Sequence, residues 1–284
     1  MKKLFLLFAW TSLFSTANAQ KLPDVQKGTL RAPVNIKIDG KPDEWNNQFQ
    51  AYNKNTEIFY TISNDNNNLY LTVKATDLDI INKIICGGIT LTVNSSTEKQ
   101  KLGGMSITFP VIDLNYAKQY LPLRIRLTTG IPINLDRPEN ITVETFIAEL
   151  NKEITSKSKD VVVEKINGIK DTISIYNTEG IKAAIQVDNK TSMTYELALP
   201  LKSFGFSVDD RESFDYNIKL SGMNPDLNNR ADLGQTFQAQ RKALRYSVGN
   251  HPIGTALAEG NPGALRVINL ASPTYFSGEY TLAK

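Results

Sequence analysis

The stretch TEIFYTISNDNNNLYLTVKA, residues 56–75, predicts the fold of this chain most directly. Residues 56–62 and 69–75 are rich in β-branched and aromatic side chains at a spacing of two, as in strands that bury one face. Residues 63–68 between them are Ser, Asn and Asp, which tolerate left-handed backbone and hydrogen-bond to their own main chain. The stretch therefore predicts a β-hairpin with a polar turn.

Similar strand patterns recur along the rest of the 284-residue chain. They predict strands over 34–38, 88–93, 104–109, 121–127, 161–166, 172–176, 182–187, 193–199 and 214–220, with short closing elements over 266–270 and 280–282. About ten short strands with few helices indicate an all-β, mainly antiparallel fold, an immunoglobulin-like or jelly-roll-type β-sandwich. Two small domains joined near 111–140 are the alternative on length.

One helical segment interrupts the strand pattern. Apolar residues at spacings of three and four predict a helix over 143–154, with one face formed by Val143, Phe146, Ile147, Leu150 and Ile154. We expect this helix to lie in an insertion of about 111–170 over one end of the β core. Two short turns are also predicted, a hairpin tip at 188–191 and a helical turn over 200–205 that ends at Gly205.

The N-terminal residues have the pattern of a secretory signal peptide. Lys2 and Lys3 precede the apolar run 4–10, and an Ala-Asn-Ala site follows at 17–19. We therefore predict a signal peptide over 1–19, a polar leader over 20–33 and a sandwich domain over 34–284. The expected location is periplasmic, outer-envelope-associated or extracellular, and an N-terminal anchor helix is the alternative.

Composition and charge exclude several classes of protein. The chain is 41% hydrophobic and 21% charged, too apolar for a disordered chain and too polar for a multi-span membrane protein. It carries 32 Lys and Arg against 29 Asp and Glu, and removal of Lys2 and Lys3 brings these nearly into balance. A nucleic-acid groove or an electrostatic membrane binder is therefore not expected. No transmembrane segment is expected after signal cleavage.

The lone cysteine, Cys86, forms no intramolecular disulfide, because the chain has only one Cys. It stands in an apolar run, so we predict a buried small hydrophobe. An intermolecular disulfide is the alternative.

The segment IKIDGKPDEW, residues 36–45, resembles the opening signature of the family 9 carbohydrate-binding modules and their wider DOMON-like relatives. The hairpin over 60–77 and the segment YELALPLKSFG, residues 195–205, also look like that family, and the three segments appear in the family's order. The resemblance implies a β-sandwich that binds glycan ends between aromatic side chains, often beside calcium. The expected partner is therefore a glycan or oligosaccharide, and calcium is the one cofactor candidate that the resemblance implies.

Sugar rings stack on aromatic faces while polar side chains bond their hydroxyls, which defines the candidate residues. The ligand-binding candidates are Trp45, Tyr52, Asp226, Asn228, Arg230, Phe237 and Tyr246, with Tyr116, Tyr120 and Tyr275 as further aromatics. Two tryptophans cannot enclose the sugar, because Trp45 is the only one left once Trp10 is removed with the signal peptide. A structural role is the alternative for Trp45. Calcium has oxygen-ligand candidates in Asp77, Asp79, Asp226, Asn228 and Asp232.

No catalytic residue is predicted, because the only histidine, His251, has no second His for a zinc site and no Gly-x-Ser-x-Gly elbow accompanies it. The sequence therefore favours non-catalytic carbohydrate binding by an exported module. A structural or protein-interaction sandwich that has lost the sugar site is the first alternative. A glycoside hydrolase-associated domain, or a haem redox domain with axial ligands from Met105, Met193, Met223 and His251, is the third.

Overall fold

The structure is a computed structural model that describes residues 21–95, 104–112, 142–166, 168–169, 171–209, 213–222 and 272–284. Over these residues the chain forms eleven strands in two antiparallel sheets, with two α-helices. The prediction of an all-β sandwich is confirmed. The predicted elements at 121–127 and 266–270 and the signal peptide at 1–19 lie outside the described residues.

Strands that are consecutive in the chain mostly lie in the same sheet. The five-stranded sheet has the spatial order β1-β2-β3-β9-β8, with β1 Ala51–Asn53, β2 Ile58–Asn64, β3 Asn68–Ala75, β8 Lys182–Val187 and β9 Met193–Pro200. The six-stranded sheet has the order β11-β10-β4-β5-β6-β7, with β4 Ile89–Ser95, β5 Met105–Val111, β6 Asp160–Glu164, β7 Thr172–Ser174, β10 Ser213–Leu220 and β11 Thr274–Thr281.

The hairpin predicted from residues 56–75 is confirmed as β2 and β3. Its turn is held by Asp65, whose Oδ1 accepts hydrogen bonds from the Asn67 and Asn68 amides, both at 2.7 Å. Its Oδ2 accepts from the Tyr70 hydroxyl at 2.6 Å. The carboxylate satisfies main-chain donors that the turn leaves unpaired, as Asp does in such turns.

Two short predicted turns are also confirmed. The tip between β8 and β9 is closed by Asp188, whose Oδ1 accepts from the Lys190 and Ser192 amides at 2.9 and 2.8 Å. A 3-10 turn, Leu201–Phe204, follows β9 and ends at Gly205.

The prediction of a strand over 34–38 is wrong. These residues form no strand, Val34 is 89% exposed, and Asn35 has φ of 65°, in the left-handed region. An alternating pattern is not sufficient for a strand where no neighbour pairs with it. Residues 43–45 instead form a short 3-10 turn, Asp43–Trp45.

The first helix, α1, Leu78–Gly87, was not anticipated. Asp77 caps it by accepting from the Asp79 and Ile80 amides at 2.7 and 3.3 Å. It carries the predicted buried thiol of Cys86, which is 6% exposed, and burial raises the pKa of this thiol to about 12. The helix connects β3 to β4 and so covers one end of the sandwich, which we call the helix end.

The second helix, α2, Val143–Lys157, confirms the predicted helix over 143–154. Ile147, Leu150 and Ile154 are buried, whereas Val143 at the first turn is 47% exposed. The helix contacts β8 at the edge of the five-stranded sheet. The expected insertion over 111–170 also contains β6, which pairs with β5, so this part of it belongs to the sheet.

The core lies between the two sheets and is joined across them by aromatic residues. Tyr60 of β2 and Tyr216 of β10 are both buried, and their hydroxyls are 3.0 Å apart. Phe276 of β11 packs against the Tyr60 ring at 4.8 Å between centroids. Because each hydroxyl has the other as partner, the two buried phenols keep their hydrogen bonding while their rings fill the core.

Side-chain amides close two exposed edges of the five-stranded sheet. β1 pairs only with residues 58–60 of β2. Along the following part of β2, where no strand pairs, the side chain of Gln26 forms the hydrogen bonds that a neighbouring strand would form. Gln26 Oε1 accepts from the Ile62 amide and Nε2 donates to the Ile62 carbonyl, both at 2.8 Å. Asn151 of α2 does the same for Val187 of β8, also at 2.8 Å in both bonds. An edge strand paired in this way offers fewer main-chain groups to another chain.

The residues expected to form a polar leader contribute to this closure. Besides its side-chain bonds, Gln26 donates its own amide to the Tyr60 hydroxyl at 2.8 Å. The Asn64 amide donates to the Leu30 carbonyl at 3.1 Å, and the Tyr280 hydroxyl donates to the same carbonyl at 3.0 Å. Residues 23–32 therefore fasten β2 of one sheet to β11 of the other.

Candidate functional site

Two of the family-like segments meet through a buried carboxylate. Glu196 of β9 has no exposed surface, and its Oε2 accepts from the Asp39 and Gly40 amides at 3.0 and 2.9 Å. Gly40 has φ of 81°, and a Cβ there would lie 2.9 Å from the Gln186 amide nitrogen of β8. The turn at 39–40 therefore needs Gly both for its backbone and for its close approach to the sheet.

Trp45 is not available for stacking on a ligand in this structure. It is only 7% exposed, and its indole Nε1 is buried without a hydrogen-bond partner. Nearby, Lys74 of β3 donates to Asn47 Oδ1 at 3.1 Å, and Phe49 contacts Phe59 of β2. Residues 39–50 thus cover the outer face of the five-stranded sheet, with Trp45 as part of that cover.

Tyr52 lies at the helix end, half-buried, with its ring 4.7 Å from that of Phe59. Burial, together with the charges of Glu57 and Asp77, raises the pKa of the Tyr52 hydroxyl. Lys83 of α1 lies at the same end, and its Nζ donates to Thr274 Oγ1 at 3.0 Å. Burial lowers the pKa of Lys83 to about 8, against the opposing charge of Glu57.

The acids suggested as calcium ligands do not assemble into a site within the described residues. Asp77 uses its carboxylate to cap α1, and Asp79 donates its amide to that cap. Over the part of the chain that the structure describes, no group of three or more His, Cys, Asp or Glu is placed to hold a metal ion. The remaining candidates, Asp226, Asn228 and Asp232, lie outside those residues.

Other sequence candidates also lie outside the described residues: Tyr116, Tyr120, Arg230, Phe237 and Tyr246, together with Met223 and His251. Of the haem candidates, Met193 is fully buried at the start of β9, and Met105 is partly buried at the start of β5. Met193 pairs with Ala75 at the helix end, whereas Met105 pairs with Val93 near the opposite end. These two methionines therefore do not form an axial pair.

A continuous set of polar side chains occupies the outer face of the six-stranded sheet. The inward positions of its central strands are apolar, for example Leu91, Ile218 and Phe276. Because successive strand residues point to opposite faces, the alternate positions point outward. These outward residues define the polar face: Thr90, Thr92 and Asn94 of β4, Asp215, Asn217 and Lys219 of β10, and Tyr275, Ser277 and Glu279 of β11.

Strand register arranges these side chains in rows across the sheet. One row runs Ser277, Asn217, Thr92, Ser106 and Glu164 over five adjacent strands. Asn217 Nδ2 donates to Ser277 Oγ at 3.1 Å, and Ser106 Oγ donates to Glu164 Oε2 at 2.7 Å. Neighbouring members of a row are about 4.8 Å apart, the spacing of paired strands.

The next row contains the exposed aromatic residue of the face. It runs Tyr275, Lys219, Thr90 and Thr108, and the two threonine hydroxyls are 2.8 Å apart. Tyr275 is 62% exposed, the second most exposed large aromatic side chain after Tyr176 among the described residues. Thr90 and Ser106 in these rows are buried, so the accessible hydroxyl, amide and carboxyl groups of the polar face lie toward β10 and β11, around the exposed ring of Tyr275.

Sequence reasoning named Tyr275 but not its polar neighbours. Alternation along each strand separates inward from outward residues, so Asn217 and Thr92 could each be assigned to an outer face. It does not show that β10 lies beside β4, because these strands are far apart in the chain. Residues 39–50 as a cover for the other sheet were also not anticipated.

The fold and the polar face define this chain as an all-β sandwich with a polar sheet surface. Comparison with known protein families, curated proteins and solved structures gave no match. Among the described helices, neither is both long enough and apolar enough to cross a membrane.

Proposed function

We propose that this chain is an exported, non-catalytic β-sandwich that binds carbohydrate on the polar face. The observation that carries the proposal is the alignment of polar rows beside the exposed ring of Tyr275. Hydroxyl, amide and carboxylate groups both donate to and accept from sugar hydroxyls. The ring of Tyr275 offers an apolar surface for the C–H face of a sugar.

The charge of the polar face supports a neutral ligand. Its outward positions on β4, β10 and β11 include Lys219 as the only base, with Asp215 and Glu279 as acids. A surface of this kind gives no electrostatic advantage to nucleic acid or other polyanions. A neutral glycan or oligosaccharide is the partner that this chemistry fits.

The resemblance to family 9 carbohydrate-binding modules adds to the proposal through its segments. The hydrogen bonds from Asp39 and Gly40 to Glu196 bring the first and third segments together in one structural unit. Export is supported by the signal-peptide pattern of residues 1–19. The proposed location is the periplasm, the outer envelope or the extracellular space.

Tyr275→Ala is expected to weaken glycan binding about five- to tenfold, because loss of ring stacking costs about 1 kcal/mol or somewhat more. A glycan array on residues 20–284, with and without calcium, identifies the saccharide, and titration calorimetry measures its affinity. The matched control is Tyr176→Ala, since Tyr176 is 74% exposed but is not part of the polar face. Absence of binding to every saccharide would overturn the proposal, and an equal loss in both variants would remove the polar face as its site.

A second candidate function is protein interaction by a sandwich that lacks a sugar site. The observation that favours it is the burial of Trp45, which leaves the family-like signature without an accessible tryptophan. Pull-down from an envelope extract separates the two functions. A stable protein partner that saturating oligosaccharide does not displace would support the interaction function over glycan binding.

A further inference from the structure

Glu196 is a buried acid on the outer face of the five-stranded sheet, away from the polar face. It has no exposed surface and lies at the middle of β9. Its Oε2 holds the Asp39 and Gly40 amides, while its Oε1 is buried and has no hydrogen-bond partner. One half of this carboxyl group therefore fastens residues 39–45 to the sheet, and the other half has lost water without gaining a partner.

The charged groups that act on Glu196 are themselves acids. They are Asp39 and Glu44, both from the segment that covers the sheet. Glu44 Oε2 is also buried without a partner. On the neighbouring strands, Thr72 of β3 and Ala184 of β8 lie opposite Glu196, and neither titrates.

No basic group offsets these acids in the immediate contacts that the structure gives. Lys74 of β3 lies on the same face, but its Nζ donates to Asn47 Oδ1. A negative charge on Glu196, beneath Asp39 and Glu44, would therefore be buried and repelled by both. A proton on Glu196 removes that charge and leaves Oε2 able to accept from both amides.

We propose that Glu196 is a proton-dependent latch that holds residues 39–45 on the five-stranded sheet most firmly when it is protonated. Burial, opposed by the two amide hydrogen bonds and reinforced by the charges of Asp39 and Glu44, raises the pKa of Glu196 to about 7 from its ordinary value of 4.5. A group with a raised pKa contributes stability below its ordinary value and loses that contribution as pH rises to the raised one. The latch therefore weakens between about pH 4.5 and pH 7.

Amide hydrogen exchange on the full chain tests the latch. The protection factors of the Asp39 and Gly40 amides, corrected for intrinsic exchange, are expected to fall by more than about tenfold between pH 4.5 and pH 7 and to level off above it. The Ile62 amide serves as an internal control, since it is held by the neutral side chain of Gln26. Its protection is expected to stay constant over the same range.

Glu196→Gln keeps an acceptor for the two amides but cannot lose a proton, so protection at 39–40 is expected to stay high and independent of pH. Glu44→Gln removes one like charge and is expected to move the midpoint to lower pH. The matched control is Glu144→Gln on the exposed first turn of α2, which is expected to leave the wild-type profile unchanged.

Constant protection at residues 39–40 in the wild type would overturn the latch, as would the wild-type pH dependence in Glu196→Gln. If Glu196→Gln does not fold, a 13C titration of the Glu196 carboxyl in the wild-type chain decides the matter. The midpoint of this titration must lie well above 4.5 and must coincide with the pH at which the protection of the Asp39 and Gly40 amides levels off. A midpoint near 4.5 would refute the latch.

Discussion

Gly87→Ala is expected to lower the free energy of unfolding by about 3 kcal/mol. A Cβ at Gly87 would lie 2.7 Å from the carbonyl carbon of Gly222 and closer still to its oxygen and nitrogen. These are backbone atoms, so no side chain can turn aside, and the C-terminus of α1 and the chain at Gly222, just after β10, must move apart. The two segments are also joined by a hydrogen bond, because the Ser221 amide donates to the Gly88 carbonyl at 3.3 Å.

Urea unfolding followed by circular dichroism measures this effect. The matched control is Gly28→Ala, because a Cβ at Gly28 would meet nothing within 4 Å. Gly28→Ala is expected to change stability by less than about 1 kcal/mol, in either direction. A loss of less than about 1 kcal/mol in Gly87→Ala would show that α1 does not pack closely on the chain at Gly222.

Gln26→Ala is expected to cost a similar amount, about 3 kcal/mol. Gln26 is 4% exposed, and its side chain pairs with both the amide and the carbonyl of Ile62. Truncation leaves two buried main-chain groups without partners, and each such group costs about 1 to 3 kcal/mol. It also loosens the fastening of residues 23–32 to the core.

The same unfolding measurement tests Gln26, with Lys27→Ala as the control, since Lys27 is exposed on the neighbouring position. That variant is expected to fall within about 0.5 kcal/mol of the wild type. Exchange of the Ile62 amide should accelerate in Gln26→Ala and remain slow in Lys27→Ala. Equal stability of the two variants would mean that Gln26 does not close the sheet edge.

One outer face of the sandwich is covered by another segment of the chain and the other has exposed side chains, and this difference decides where a ligand can bind. Residues 39–50 cover the outer face of the five-stranded sheet and bury Trp45 and Glu196. The polar face of the six-stranded sheet keeps Tyr275, Ser277 and Glu279 exposed. Glycan binding and the proton-dependent latch are therefore proposed on opposite sides of the molecule, and each can fail without the other.

Much of the strand content could be predicted because the signals are local. The hairpin at 56–75, the tip at 188–191 and the helix over 143–154 each depend on residues close together in the chain. The strand over 34–38 was predicted wrongly for the same reason, since its alternation is local but no neighbouring strand pairs with it. Helix α1 has a local signal too, the cap at Asp77 followed by apolar residues at helical spacing, which the apolar run at 84–88 obscured.

The sequence by itself determined the all-β class, most strand positions, the buried Cys86 and the near balance of charge. Only the tertiary structure decided that Glu196 holds the turn at 39–40, that Gln26 and Asn151 close sheet edges, and that Lys219 lies between Tyr275 and Thr90. Propensity and alternation act over a few residues, whereas these contacts join residues that are distant in the chain. Their partners follow from strand order and register, which no single segment encodes.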